Sequence, residues 1–198
     1  AWLMATRGVT VYLDSKSPYA YLAKDPVSEL AREFDVELRW LPYILDIPEY
    51  LGTVESRNPH QWRRVRYSYM DARRLANRRG LTVRGPRKVF DSSLAAIGML
   101  YAQRRGVSNR YNDLVFERFW KRDLDIEDPG AIAAALREAE ADSDAFAEYA
   151  DGEGRRELDR ICREAENLGV FGVPTFVVGN ELFWGGDRLW MVREQLTR

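Results

Sequence analysis

Residues 9–22 join a strand to a helix, and this junction constrains the fold more than any other stretch of the sequence. Val9 to Leu13 is β-branched and aromatic, which favours a strand. A polar break follows, and Pro18 suits the first position of a helix, where a backbone N–H would be unpaired anyway. Ser17 is therefore predicted to stand at a helix start, beside unpaired N–H groups and roughly half a positive charge. Locally, an N-cap serine is the first interpretation and an anion-stabilising hydroxyl the second.

The composition is that of a globular protein with one domain, or one domain carrying a large insertion. The chain has 198 residues, of which 45% are hydrophobic and 31% charged, with a net charge of −1. This length allows a sizeable core, and the composition is not that of a disordered chain. No apolar run approaches the roughly 20 residues of a membrane helix, and residues 1–8 lack the features of a signal peptide. We therefore expect a cytoplasmic protein that does not bind membranes.

One cysteine and one histidine limit the available chemistry. Cys162 excludes an internal disulfide and a cysteine-based metal cluster, and its neighbours predict a buried apolar filler on a helix. His60 alone excludes a histidine-based triad and the usual zinc sites, and it is predicted to lie in a surface loop unless it is near the pocket. No metal site is expected.

The predicted elements run β-α-β, then a long helical stretch, then a β-hairpin and a last helix. Asp25-Pro26 predicts a kink or a new start within the first helix. A long helix is predicted to end at Arg79, before Gly80. Gly179-Asn180 predicts the turn of the hairpin. Asp187 is predicted to cap the last helix.

Three motifs carry a family resemblance. The first is Ser17-Pro18-Tyr19-Ala20 after a strand, the second is Gly172 to Phe176, which reads Gly-Val-Pro-Thr-Phe, and the third is Trp184 to Arg188. In this order they resemble the thioredoxin-fold family that contains 2-hydroxychromene-2-carboxylate isomerases and kappa-class glutathione transferases. The segment Trp120 to Pro129 is similar to a kappa-class run. Disulfide oxidoreductases of the DsbA type carry Cys-Pro-x-Cys at the first motif, so this chain, with neither sulfur, cannot cycle a dithiol there.

The resemblance implies an α/β fold, with a thioredoxin-like (DsbA-like) core formed by residues 8–45 and 168–198. Residues 46–167 are expected to form an all-helical insertion domain. The implied activity is that of a glutathione-dependent isomerase of the 2-hydroxychromene-2-carboxylate type. The alternatives are a kappa-like glutathione transferase, and a redox-silent thioredoxin-like binding or chaperone module.

The resemblance also implies roles for individual residues. Ser17 would be catalytic, because its hydroxyl would keep the sulfur of glutathione, or of another low-molecular-weight thiol, ionised. A cis Val173-Pro174 bond is expected in the second motif. The implied cofactor-binding residues are Ser17, Val173, Pro174, Trp184, Gly185, Gly186 and Asp187. The substrate, a small aromatic carboxylate, would contact Asn58, Tyr19 and Tyr67. A homodimer stays open.

Residues 57–88 hold eleven Lys or Arg residues against one acid, Asp71. A solvated helix face is the first interpretation of this basic block, an anion-attracting rim the second and a nucleic-acid patch the third. No nucleic-acid-binding motif accompanies the block, so no nucleic-acid partner is predicted.

Overall fold

A four-stranded mixed sheet forms the centre of the computed structural model, which describes residues 8–198. The strands are β1 (Gly8–Leu13), β2 (Glu37–Pro42), β3 (Thr175–Val178) and β4 (Glu181–Trp184), in the spatial order β2-β1-β3-β4. β1 is parallel to β2 and antiparallel to β3, and β3 and β4 form the hairpin predicted around Gly179-Asn180. The predicted β-α-β unit and closing hairpin are confirmed.

Helix α1 (Pro18–Glu33) follows β1 as predicted, with Ser17 as its N-cap. It runs as one helix through Pro26, so the alternative of a new helix start at Asp25-Pro26 is wrong. The inner face of α1 is apolar at helical spacing, and Val27 is fully buried. Burial of this face holds the helix across the proline.

Helices fill the sequence between β2 and β3. They are α2 (Ile47–Leu51), α3 (Pro59–Arg78), α4 (Ser93–Arg104), α5 (Ser108–Lys121), α6 (Pro129–Glu138), α7 (Phe146–Asp151) and α8 (Glu153–Leu168). Gly80 follows α3 with a φ of +69°, a conformation that glycine adopts without strain, as expected of a helix stop. The division of the chain into a core and an insertion domain remains a prediction. Among residues 8–198, every helix is too short or too polar to cross a bilayer.

Two local predictions are wrong. Asp187 does not cap the last helix: it lies inside a 3₁₀ turn, Gly186–Arg188, and α9 (Leu189–Thr197) begins after it without a side-chain cap. The tighter turn consumes the residues that would otherwise precede the helix. His60 lies in the first turn of α3 rather than in a loop, because the helix begins at Pro59.

The register of the sheet brings the first two family motifs to one edge. Tyr12 near the end of β1 pairs with Thr175 at the start of β3. Because these strands are antiparallel, the chain that leaves β1 toward Ser17 lies beside the chain that enters β3 from Pro174. The candidate site is therefore built at this edge.

Candidate functional site

Ser17 stands at the start of α1 and is 5% exposed. Its Oγ accepts a hydrogen bond from the backbone N–H of Ala20 at 3.2 Å. Among the described residues the Ser17 hydroxyl donates to no partner, so its proton is available to an acceptor outside the chain. The N-cap interpretation is confirmed, and it is compatible with a hydroxyl that donates to an anion.

A buried ion pair supports the loop before Ser17. The Lys16 Nζ lies 2.9 Å from Asp14 Oδ2, with side chains 7% and 0% exposed. The same Nζ donates to the Ser92 Oγ at 2.9 Å. Asp14 also accepts from the backbone N–H groups of Leu45 and Lys16, at 2.8 and 3.1 Å. The carboxylate is thus surrounded by donors, which is the condition for burying a charge.

Trp120 ties the helical stretch to the same loop. This side chain is fully buried, and its Nε1 donates to the carbonyl oxygen of Ser15 at 3.1 Å. Ser92 is the N-cap of α4 but makes no side-chain cap bond there, because its hydroxyl accepts from Lys16 instead. Two residues from the helical stretch therefore hold the loop that presents Ser17.

The second motif adopts the expected geometry, with a cis Val173-Pro174 peptide bond. Val173 is buried, yet among residues 8–198 its backbone N–H and C=O make no hydrogen bond. Buried backbone N–H and C=O groups nearly always have hydrogen-bond partners. The free N–H and C=O of Val173 therefore fit a ligand with a peptide-like edge. The Thr175 Oγ1 donates to the Gly172 carbonyl at 2.7 Å, which fixes the loop.

The third motif packs against the second. The backbone N–H of Gly185 donates to the Pro174 carbonyl at 2.9 Å. Gly186 lies close to α1, since a Cβ built there would be 3.5 Å from the Cβ of Ala23. The Asp187 side chain is 78% exposed and contacts Arg188. This motif therefore lies between the cis-proline loop and α1, with a carboxylate open to a ligand.

Trp184 is not a core residue. It is 47% exposed, and its ring lies 5.1 Å from that of Phe171, which is 63% exposed. The two rings form an accessible aromatic pair beside the cis-proline loop.

Tyr19 connects α1 to α3. Its hydroxyl donates to Asp71 Oδ2 at 2.8 Å and to the Ser68 carbonyl at 3.3 Å. Burial, and then the hydrogen bond to Asp71, raise the pKa of Tyr19 well above its ordinary value. Tyr19 therefore keeps its proton at neutral pH, and the Asp71 carboxylate accepts the hydrogen bond of its hydroxyl.

The other two residues expected to contact substrate are exposed on α3. Asn58 is its N-cap and forms a capping box with Gln61: the Asn58 Oδ1 accepts from the Gln61 N–H at 2.9 Å. Tyr67 is 57% exposed and lines an open groove, so it does not pack in the core. His60 lines the same groove.

Sequence reasoning missed the supporting residues Lys16, Ser92 and Trp120. Lys16 had no visible signal, because a lysine before a helix start is ordinarily solvated. Cys162 is half-buried on α8, and burial is the main cause that raises its thiol pKa, in agreement with a filler rather than a nucleophile.

Comparison with known proteins places this geometry in a family. The model of the DsbA-like thioredoxin domain matches residues 8–197. A 2-hydroxychromene-2-carboxylate isomerase of Pseudomonas putida is 28% identical over 192 residues, which is 96% of this chain and 94% of that protein. A similar enzyme of Sphingobium xenophagum is 27% identical over 93% of this chain and 95% of its own length.

Solved structures agree with the sequence relatives. The structure of a 2-hydroxychromene-2-carboxylate isomerase superposes with a TM-score of 0.80 at 26% identity, and the match covers 96% of this chain and 94% of the other. The family model matches nearly every described residue, and the cis Val173-Pro174 bond and the sheet order agree with it, so the chain belongs to the DsbA-like thioredoxin family.

Proposed function

We propose that the protein is a glutathione-dependent isomerase of 2-hydroxychromene-2-carboxylate or a closely related aromatic carboxylate. The relatives that carry this name match almost the full length of the chain. The observation that carries the proposal is Ser17, whose hydroxyl caps α1 as an acceptor and still has a proton to donate.

The proposed role of Ser17 is to keep a thiol ionised. A free thiol with a pKa of about 8.5 is only a few per cent thiolate at neutral pH. Lowering that pKa by about 2 units requires roughly 2.7 kcal/mol of selective anion stabilisation. A hydrogen bond from Ser17 to a charged sulfur supplies about 1.5–3 kcal/mol, and the start of α1 adds about 0.3–1 kcal/mol. The two contributions meet the requirement without a general base.

The remaining site residues suit a tripeptide thiol such as glutathione. The unpaired backbone N–H and C=O of Val173 would bind its peptide edge, and the exposed Asp187 carboxylate would bind its ammonium group. Glutathione held there as a thiolate would supply the nucleophile for a reversible addition to the unsaturated ring system, and its later elimination would regenerate the thiol. Tyr19, protonated and held by Asp71, would present an uncharged side chain to the substrate beside Ser17.

Two substitutions at position 17 separate the role of the Ser17 hydroxyl as helix cap from its role as hydrogen-bond donor. Ser17→Ala removes both, and Ser17→Gly removes the donor while glycine remains an acceptable N-cap. Both variants should lose at least tenfold in kcat, and the thiol-dependent limb of the pH–rate profile should move up by about 1–2 units. The measurement is the absorbance change of a chromene carboxylate with glutathione. Ser28→Ala, on the same helix, is the control.

Unchanged turnover in both variants would remove Ser17 from the mechanism. A thermal shift tests the thiol separately: glutathione at a hundredfold excess over its Kd should stabilise the fold by about 2.7 kcal/mol. A binding or chaperone module would show neither turnover nor this shift. Accumulation of a stable thioether product would instead identify a kappa-like transferase.

A further inference from the structure

The exposed face of α3 carries a groove that the proposed thiol site does not use. It is lined by His60, Arg63, Arg64, Tyr67 and Ser68 and has a volume of about 350 Å³. The groove is shallow and open to solvent, so it would hold one end of a bound ligand rather than enclose it. Two guanidinium groups and a phenol make this groove suitable for an aromatic anion.

The two arginines of the groove have no acidic partner among the described residues. Of the eleven basic residues in residues 57–88, Arg79 and Lys88 alone have acidic partners among the described residues, which are Asp25 and Glu127. What distinguishes Arg64 is therefore its contact with Tyr50. Arg64 lies over the ring of Tyr50 on α2, with its Cζ 5.2 Å from the ring centroid. Stacking of this kind orders a guanidinium group and leaves its N–H donors free.

The groove adjoins Tyr19, two residues from Ser17. Ser68 belongs to both places, because it lines the groove and its carbonyl accepts from the Tyr19 hydroxyl. Arg64 and Asp71, which accepts from the same hydroxyl, are seven residues apart on α3. Seven residues are nearly two turns, so both side chains lie on one helix face, about 10 Å apart along the axis. Farther along both helices, Arg79 of α3 contacts the Leu22 carbonyl of α1, so the two helices run in the same direction. The Arg64 end of α3 therefore lies toward the start of α1.

We infer that Arg64, ordered by Tyr50, binds the carboxylate of the substrate, while Ser17 acts on the thiol. This inference deepens the proposed function and depends on it for the identity of the substrate. It makes Arg64 a residue that determines specificity for anionic substrates, and it gives Tyr50 a positioning role. A guanidinium group binds a carboxylate through two parallel hydrogen bonds, which an ammonium group cannot do.

Arg64→Gln tests the inference, with Arg66→Gln as a matched control. Arg66 is exposed on the same helix and lies two residues on, so it faces away from the groove. In Arg64→Gln we expect the KM for the chromene carboxylate to rise at least tenfold, with kcat within twofold and the KM for glutathione unchanged. Arg66→Gln should match the parent, and the methyl ester of the substrate should be insensitive to Arg64. Arg64→Lys should recover only part of the affinity for the chromene carboxylate. Tyr50→Phe keeps the aromatic ring and should retain that affinity, whereas Tyr50→Leu should lose it.

A binding measurement keeps this test apart from the test of turnover. Isothermal titration of the chromene carboxylate without thiol should show a Kd at least tenfold weaker in Arg64→Gln than in Arg66→Gln, whether or not the protein catalyses isomerisation. Equal affinities in the two variants would overturn the role of Arg64 while leaving the proposed isomerase intact. A rise in the KM for glutathione alone would assign Arg64 to a carboxylate of the thiol and would also overturn it.

Discussion

At the residue scale, Ser17 combines two uses of one hydroxyl. The oxygen accepts from Ala20 to begin α1, and the proton remains available to an acceptor outside the chain. A cysteine at the same position would supply the reactive sulfur itself, whereas in the proposed mechanism the serine donates to a sulfur brought by a small molecule. The site thus keeps the helix start of a thioredoxin-like protein and loses its redox chemistry.

Lys16 is predicted to matter for stability as much as Ser17 matters for chemistry. Lys16→Met removes the ammonium group and leaves the buried Asp14 carboxylate without its counter-charge. Breaking a buried pair in this way costs about 3–5 kcal/mol. Urea unfolding followed by circular dichroism should show this loss in the free energy of unfolding.

The control for this prediction is an exposed pair on α5. Lys121→Met breaks the contact with Glu117, and an exposed pair of this spacing is worth about 0.3–0.5 kcal/mol. If the two variants were equally stable, the pair of Asp14 and Lys16 would have no special role.

At the element scale, the helical stretch matters because it packs on the loop before Ser17. Helices α4, α5 and α6 meet closely at Gly98, where a Cβ would lie 2.8 Å from the Tyr111 Cζ and 3.0 Å from the Ile132 Cγ2. Tyr111 cannot move aside, since it is fully buried and its hydroxyl donates to the Ala95 carbonyl at 2.7 Å. Glycine at this position permits the close approach of the three helices.

We expect Gly98→Ala to destabilise the protein by about 1–3 kcal/mol, because the added methyl group overpacks the helix contact. Gly130→Ala, in the first turn of α6, is the matched change: a Cβ there meets only Asp128 Oδ1 at 3.4 Å. It should be neutral or stabilise by up to about 1 kcal/mol, since alanine favours a helix. Thermal and urea unfolding would check both variants. If the two substitutions changed the free energy of unfolding equally, the close helix contact at Gly98 would be unimportant.

Sequence patterns predicted those elements whose structure depends on contiguous residues. The strand-to-helix junction at Ser17, the cis Val173-Pro174 bond and the hairpin each depend on a few neighbouring positions. The supports of the site are different: Lys16 and Ser92 are 76 residues apart, and Trp120 and Ser15 are 105 apart. No local pattern indicates such pairs. Asp187 was misplaced because a 3₁₀ turn and an α-helix start with similar residues.

At the scale of the whole molecule, buried tyrosines make the fold sensitive to alkali. In seven tyrosines the pKa is raised above its ordinary value, and burial is the largest cause. The pKa of Tyr21, for example, is raised to about 12. A group whose pKa is higher in the folded state than in the unfolded state stabilises the fold below the unfolded value, near 10, and loses that effect as the pH rises. We therefore expect stability to fall above pH 10.

The measurement is tyrosinate absorbance at 295 nm during unfolding. At pH 10.5, urea should increase the absorbance of the protein, because the seven tyrosines ionise when they reach water. Absorbance that did not change on unfolding would show that these phenols ionise equally well in the folded protein. At pH 8, where a phenol keeps its proton in either state, no increase is expected.

The pairing of β1 with β3 also bears on how the protein is made. Val9 pairs with Val178, so these partners are 169 residues apart in the sequence. A ribosome adds about 5–20 residues per second, so β1 lacks its β3 partner until synthesis has reached residue 178. Until then one side of β1 is an open strand edge, which other chains can pair with. A nascent chain halted before residue 175 would therefore need a chaperone to stay soluble.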